Sequence, residues 1–167
     1  MPPVPEWATP IKKEHAMASI ARHLGDEHRR SDDLFLAAQT AVNEGDWGEA
    51  RARFNQFRDG LEHHLRMEED VLLEAFDRRT GGSSGPTLVM RNEHRQILGL
   101  VRLLDDAILM QDVESYLGNA ETLKRMLERH NMQEEGMLYL MCDRLLSGEA
   151  GQIIDAMESA ADVLREP

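Results

Sequence analysis

Glu27-His28-Arg29, followed by His64 and by Glu68-Glu69, recurs 66 residues later as Glu93-His94-Arg95, His130 and Glu134-Glu135. In each copy 36 residues separate the first histidine from the second. Imidazole and carboxylate together suit iron, manganese and zinc. Such a set repeating in one register, without a slip, points to a symmetric binuclear metal site. The candidate ligands are His28, His64, Glu68, His94, His130 and Glu134; no catalytic residue is assigned.

Four long helical patterns must position these groups. The first runs from about Ala16 to Asn43 and the second from about Asp46 to Arg78. After the loop Thr80–Pro86, the third runs from about Thr87 to Gln111 and the fourth from about Glu114 to Leu146. Apolar residues and candidate ligands step by three and four along each, as on a helix with one buried face. Strand-like alternation is absent. The connections Glu44-Gly45 and Asp112-Val113 are short enough to force antiparallel hairpins. The expected fold is all-α: an up-down-up-down four-helix bundle over residues 16–146, preceded by a proline-rich arm (1–15). A short C-terminal helix within 147–167 packs on the bundle.

His28 stands about 15 residues before its hairpin turn and His64 about 18 after it, at ~1.5 Å rise per residue. His94 and His130 stand about 17 and 16 residues from theirs, so each pair reaches nearly one level. His64 and Glu68, like His130 and Glu134, are four residues apart, or ~40° around the axis. All six side chains therefore converge on the bundle centre. A lone histidine on an apolar face is ordinarily a hydrogen-bonded core residue. Two carboxylates and four imidazoles buried together carry several kcal/mol of desolvation cost each unless a cation compensates them.

The order His, His-x3-Glu, His, His-x3-Glu over four helices resembles the hemerythrin-like, or HHE cation-binding, family. That resemblance implies two non-haem irons, with an oxide or hydroxide bridge. His28 and His64 would serve one iron, His94 and His130 the other, and Glu68 and Glu134 would bridge. Manganese or zinc could substitute. Oxygen-carrying hemerythrins place a further histidine one turn after the first on the third helix, where this chain has Leu98. The remaining set is similar to that of the bacterial iron–sulfur cluster repair proteins, whose cysteine-bearing N-terminal domain is not part of this sequence. The expected function is a di-iron protein that reacts with or senses oxygen, peroxide or nitric oxide, or handles iron. Reversible oxygen binding or iron storage without catalysis is the alternative.

Other architectures fit less well. Ferritin-like bundles use Glu-x-x-His, but Leu61 and Leu127 stand three before His64 and His130. His-Glu-x-x-His, the zinc-protease motif, does not occur. His15, His23 and His63 are expected on flanks or the surface, and Glu69 and Glu135 on solvated flanks. Glu27 and Glu93 could orient histidines or face solvent. The methionines Met67, Met90, Met126, Met137 and Met141 are expected as core filler.

The net charge of −12 argues against nucleic acid and anionic membrane surfaces. A single cysteine, Cys142, excludes an intramolecular disulfide framework and is expected to be an inert packed thiol. No signal-peptide pattern or membrane-length apolar run is present, so a cytoplasmic protein is expected. The expected partner is a small diatomic or peroxide ligand.

Overall fold

The computed structural model describes residues 18–82 and 85–162. Helix α1 spans Ile20–Glu44 and α2 spans Trp47–Met67. A π-helical turn, Glu68–Leu73, joins α2 to α3 (Glu74–Thr80) in one rod. Helix α4 (Pro86–Met110) starts the second hairpin. Helix α5 (Val113–Gln133) passes through the π-helical turn Glu134–Leu138 into α6 (Tyr139–Leu145), and α7 (Ala150–Asp162) follows. The described residues contain no strand.

Each hairpin is closed by the same local chemistry. Gly45 and Gln111 take left-handed φ values of 74° and 54°, ending α1 and α4. The next residues, Asp46 and Asp112, accept from the backbone N–H of Glu49 and Ser115 to cap α2 and α5. The turns force α1 against α2 and α4 against α5, while α1 also packs on α5 and α6 and α2 on α4. The result is the antiparallel four-rod bundle. Asp143 on α6 ties its two ends of sequence together, accepting from the Ser19 hydroxyl at 3.0 Å and the Ile20 N–H at 2.7 Å.

Two apolar clusters fill the interior. One, around Phe54, Phe57, Leu104, Tyr116 and Leu123, lies toward the hairpin turns. The other, around Leu24, Leu72, Leu73, Met90, Leu138 and Tyr139, lies toward the opposite end. Helix α7 contributes Ile153 and Met157 to this second cluster, so it completes the core as well as packing on the bundle. Among the described residues no helix is long and apolar enough to cross a membrane.

The uninterrupted second and fourth helices expected from periodicity are corrected by the π turns. A π turn fits one more residue into a turn than α spacing allows. Met137, assigned to the core stripe, is consequently 47 % exposed, while Leu138 and Tyr139 turn inward. Met67 and Met90 are core filler as expected, and Met126 and Met141 are partly buried against the clusters.

Candidate metal centre

Between the two apolar clusters lies a polar layer made of His28, His64, Glu68, His94, His130 and Glu134, all buried. The structure brings together all six groups singled out from sequence. One donor atom each from His28, His64, Glu68 and Glu134 lies within 4.8 Å of the others, and the same holds for Glu68, His94, His130 and Glu134. Both glutamates belong to both sets. They are the first residues of the two π turns.

The imidazoles present their Nε2 atoms inward. His28 Nε2 and His64 Nε2 are 3.1 Å apart. Glu134 Oε2 lies 3.2 Å from His28 Nε2, and Glu134 Oε1 lies 2.9 Å from His130 Nε2. Glu68 Oε1 is 3.5 Å from His64 Nε2, and Glu68 Oε2 is 3.3 Å from His94 Nε2. Each carboxylate thus faces a histidine of both hairpins.

Outward, every imidazole is held by a further carboxylate. His28 Nδ1 meets Glu135 at 2.7 Å, His64 Nδ1 meets Glu27 at 3.0 Å, His94 Nδ1 meets Glu69 at 2.9 Å, and His130 Nδ1 meets Glu93 at 2.8 Å. Arg129 donates to Glu93 and Arg30 to Glu27, which steadies two of the four. Glu69 and Glu135 stand on solvated flanks as expected, 35 % and 43 % exposed, and from there they hold His94 and His28. As with Glu27-His28 and Glu93-His94 on regular α-helices, two successive side chains serve the same layer at Glu68-Glu69 and Glu134-Glu135. Glu27 and Glu93, open between two roles on sequence alone, orient His64 and His130.

These pairings set the chemistry of the centre. A carboxylate on Nδ1 selects the tautomer with its proton there and leaves a lone pair on Nε2. His28 and His64 would then point two lone pairs at each other across 3.1 Å, toward two carboxylates. Only a shared proton or a cation relieves that arrangement. Glu68 Oε2, His94 Nε2, His130 Nε2 and Glu134 Oε1 are buried and have no hydrogen-bond partner, although they face one another at ion-pair range. The donor set fits a cation.

Protonation follows the same logic. Burial alone would lower the pKa of His64, but Glu68 and Glu27 outweigh it and raise it to about 10. For His94 too, burial is overcome by Glu134 and Glu68, again giving about 10. Burial and Glu134 push Glu68 upward, yet His64 and His94 prevail and hold it at about 2. Without metal, the layer draws protons in place of positive ions.

Tyr139 is a member of the site that sequence reasoning missed. Its buried hydroxyl lies in hydrogen-bonding range of Glu68 Oε1 and of Glu134 Oε2 at 2.7 Å, donating its one proton to either, and lies 3.1 Å from His28 Nε2. Burial, then Glu68 and Glu134, raise its pKa well above that of an ordinary phenol, so it stays a donor. On an α-helix Tyr139 would stand ~140° from Glu134, and only the π turn brings it round. The corresponding residue of the first hairpin is Leu73, so the phenol breaks the symmetry of the repeat.

The remaining candidates lie outside this layer. Leu98 packs against the core, so no fifth imidazole is present at its position. His23 is half-buried rather than on the surface, with Nδ1 3.9 Å from Glu158 of α7. His63 lines a groove beside the centre, and His15 lies outside the described residues. Cys142 is buried, and its thiol is pushed up to about 12 by burial and by nearby Asp143, which keeps it unreactive.

The hemerythrin HHE cation-binding domain model matches residues 19–142, and the chain belongs to that family. No curated protein and no solved structure matches it. Membership implies bound metal ions, and the two buried His/Glu groups are where this chain could hold them.

Proposed function

We propose that this is a binuclear iron protein that reacts with or senses a small ligand such as oxygen, peroxide or nitric oxide. His28 and His64 would hold one ion, His94 and His130 the other, with Glu68 and Glu134 shared between them. The observation that carries this reading is the sharing of both glutamates between two histidine pairs, each histidine oriented by its own outer carboxylate. Bound iron would supply redox and Lewis-acid chemistry. The chain's own part is to fix four imidazole tautomers, to neutralise positive charge with two carboxylates, and to keep a proton available on Tyr139 Oη. Manganese and zinc suit the same donors, and iron is chosen on family membership.

Leu98 packs in the core where oxygen-carrying relatives have a fifth imidazole. With four histidines and two shared carboxylates, the chain would supply each ion with two imidazoles and two carboxylate oxygens, which would leave room for an exogenous ligand. That favours reaction or sensing over long-lived, reversible oxygen carriage. A reduced protein that forms an oxygen adduct, loses it on degassing and regains it over repeated cycles would reverse this ranking.

Reconstitution with excess iron followed by elemental analysis tests the centre itself. Two ions per chain are expected, and one or fewer overturns the binuclear reading. The outer carboxylates provide a second measurement. Glu93→Ala and Glu135→Ala should each weaken metal binding by about 10–100-fold, as loss of a group that orients a ligand does. Chelator competition reads this, while an affinity equal to that of the unmodified protein would deny Glu93 and Glu135 their orienting role.

A further inference from the structure

The repeat is symmetric in its inner groups and asymmetric in what surrounds them. A groove of about 800 Å³ runs between α1 and α2, lined by Ser31, Asp32, Gln56, Gly60 and Asn131, and ends on His28 and His64. A second cleft of about 550 Å³ also reaches His28, past Asp32 and Asn131. Neither is lined by His94 or His130. The residues that open the groove are those in which the two hairpins differ. Ser31, Asp32 and Gly60 correspond in the repeat to Ile97, Leu98 and Met126. Ile97 is buried in the core, and Leu98 and Met126 pack against it. Three small or polar residues thus stand in one half where three large apolar ones seal the other. Solvent contact follows: the side chains of His28 and His64 are each 6 % exposed, those of His94 and His130 each 1 %.

We propose that exogenous ligands enter the centre through the α1–α2 groove and meet it at the His28/His64 pair, while the α4–α5 side is closed. This rests on the metal-centre reading above and adds a direction to it. Leu34, Phe57, Leu61 and Leu127 line the groove beside Ser31, Asp32, Gln56 and Asn131, so it offers apolar surface and hydrogen bonds together and suits a small ligand, diatomic or peroxide. Gly60 lies on the exposed part of the groove lining. A Cβ added there meets nothing within 4 Å, so a larger side chain fits without displacing the backbone and can lie across the groove.

The test uses the full chain, loaded with iron and oxidised, and azide as the probe. Metal content is measured first. Gly60→Met copies the residue of the sealed half and should slow azide association several-fold, with the same metal content and the same final spectrum. Gly99→Met adds an equal side chain to an exposed stretch of α4 with open space around it, and should leave the rate unchanged. Asp32→Leu should also slow association, whereas Asp32→Asn, which keeps hydrogen-bonding groups at the mouth, should not. A preparation that holds no metal overturns the metal-centre reading, and this one with it. Metal-loaded protein that shows no azide spectrum, or whose rate is unaffected by Gly60→Met or equally slowed by Gly99→Met, overturns the groove alone.

Discussion

Replacing Glu134 with alanine is expected to empty both metal positions at once. Its two oxygens face opposite hairpins: Oε2 lies 3.2 Å from His28 Nε2, and Oε1 lies 2.9 Å from His130 Nε2 and 3.7 Å from His94 Nε2. Glu68 is shared in the same way, so Glu68→Ala should do likewise. A histidine belongs to one donor set only, and His130→Ala should therefore spare the other position. After reconstitution, elemental analysis should read near zero for the glutamate variants, near one for His130→Ala, and two for His23→Ala. Stability should follow. Removing one partner of a buried charged pair costs about 3–5 kcal/mol, and Glu134 is the partner of three histidines. Equal occupancy in the glutamate and histidine variants would show that the carboxylates are not shared.

The convergence of the six inner groups was legible because they obey α-helical spacing. His64 and Glu68 are one turn apart, and the 66-residue recurrence places the second copy on a second hairpin. Even the turns repeat, with Asp46 and Asp112 capping the helices that follow. What escaped was the place of Tyr139 and the role of Glu69 and Glu135. Tyr139 would sit at an α-helical angle that points away from the centre, and the π turn carries it inward, while Glu69 and Glu135 reach the layer from partly exposed flanks. The recurrence of Glu69 and Glu135 in both copies was the available signal for their role. For Tyr139 there was none, since its counterpart is Leu73. The groove was equally hidden in periodicity, yet it follows from comparing the two copies where they disagree: Gly60 against Met126, and Asp32 against Leu98.

The outer glutamates also explain why the inner ones can stay charged. Each histidine lies between an inner and an outer carboxylate, so the layer contains eight acidic or basic neighbours in alternation rather than two isolated anions. Such a network is favourable only when every member has a partner. Four of the inner atoms, Glu68 Oε2, His94 Nε2, His130 Nε2 and Glu134 Oε1, lack hydrogen-bonded partners of their own, and positive charge at the centre is what completes them. Whether protons or metal ions supply it depends on pH.

Metal-free and metal-loaded protein should accordingly respond to pH in opposite directions. In the metal-free state His64 is raised from 6.5 to about 10 against burial by Glu68 and Glu27, and His94 to about 10 by Glu134 and Glu68. A raised folded-state pKa gives stability that is fully present below the unfolded value and is lost as pH climbs through the folded one. These contributions are therefore complete below 6.5 and gone near 10. Glu68, lowered from 4.5 to about 2, contributes fully above 4.5 and loses its contribution as pH falls toward 2. The metal-free bundle should be most stable between 4.5 and 6.5 and should weaken steadily on the alkaline side. Metal binds only the deprotonated ligands, so its affinity rises over the same interval in which the protons leave. At a free metal concentration of ~1,000 times Kd, binding adds about 4 kcal/mol, or roughly 10 °C in Tm for a chain of 167 residues. Thermal unfolding with zinc, which removes redox chemistry from the measurement, or with a chelator should give curves nearly coincident near about pH 5 and well separated near about pH 8.5. Parallel curves across that range would mean that protons and metal do not compete for this layer, and that its histidines serve the fold alone.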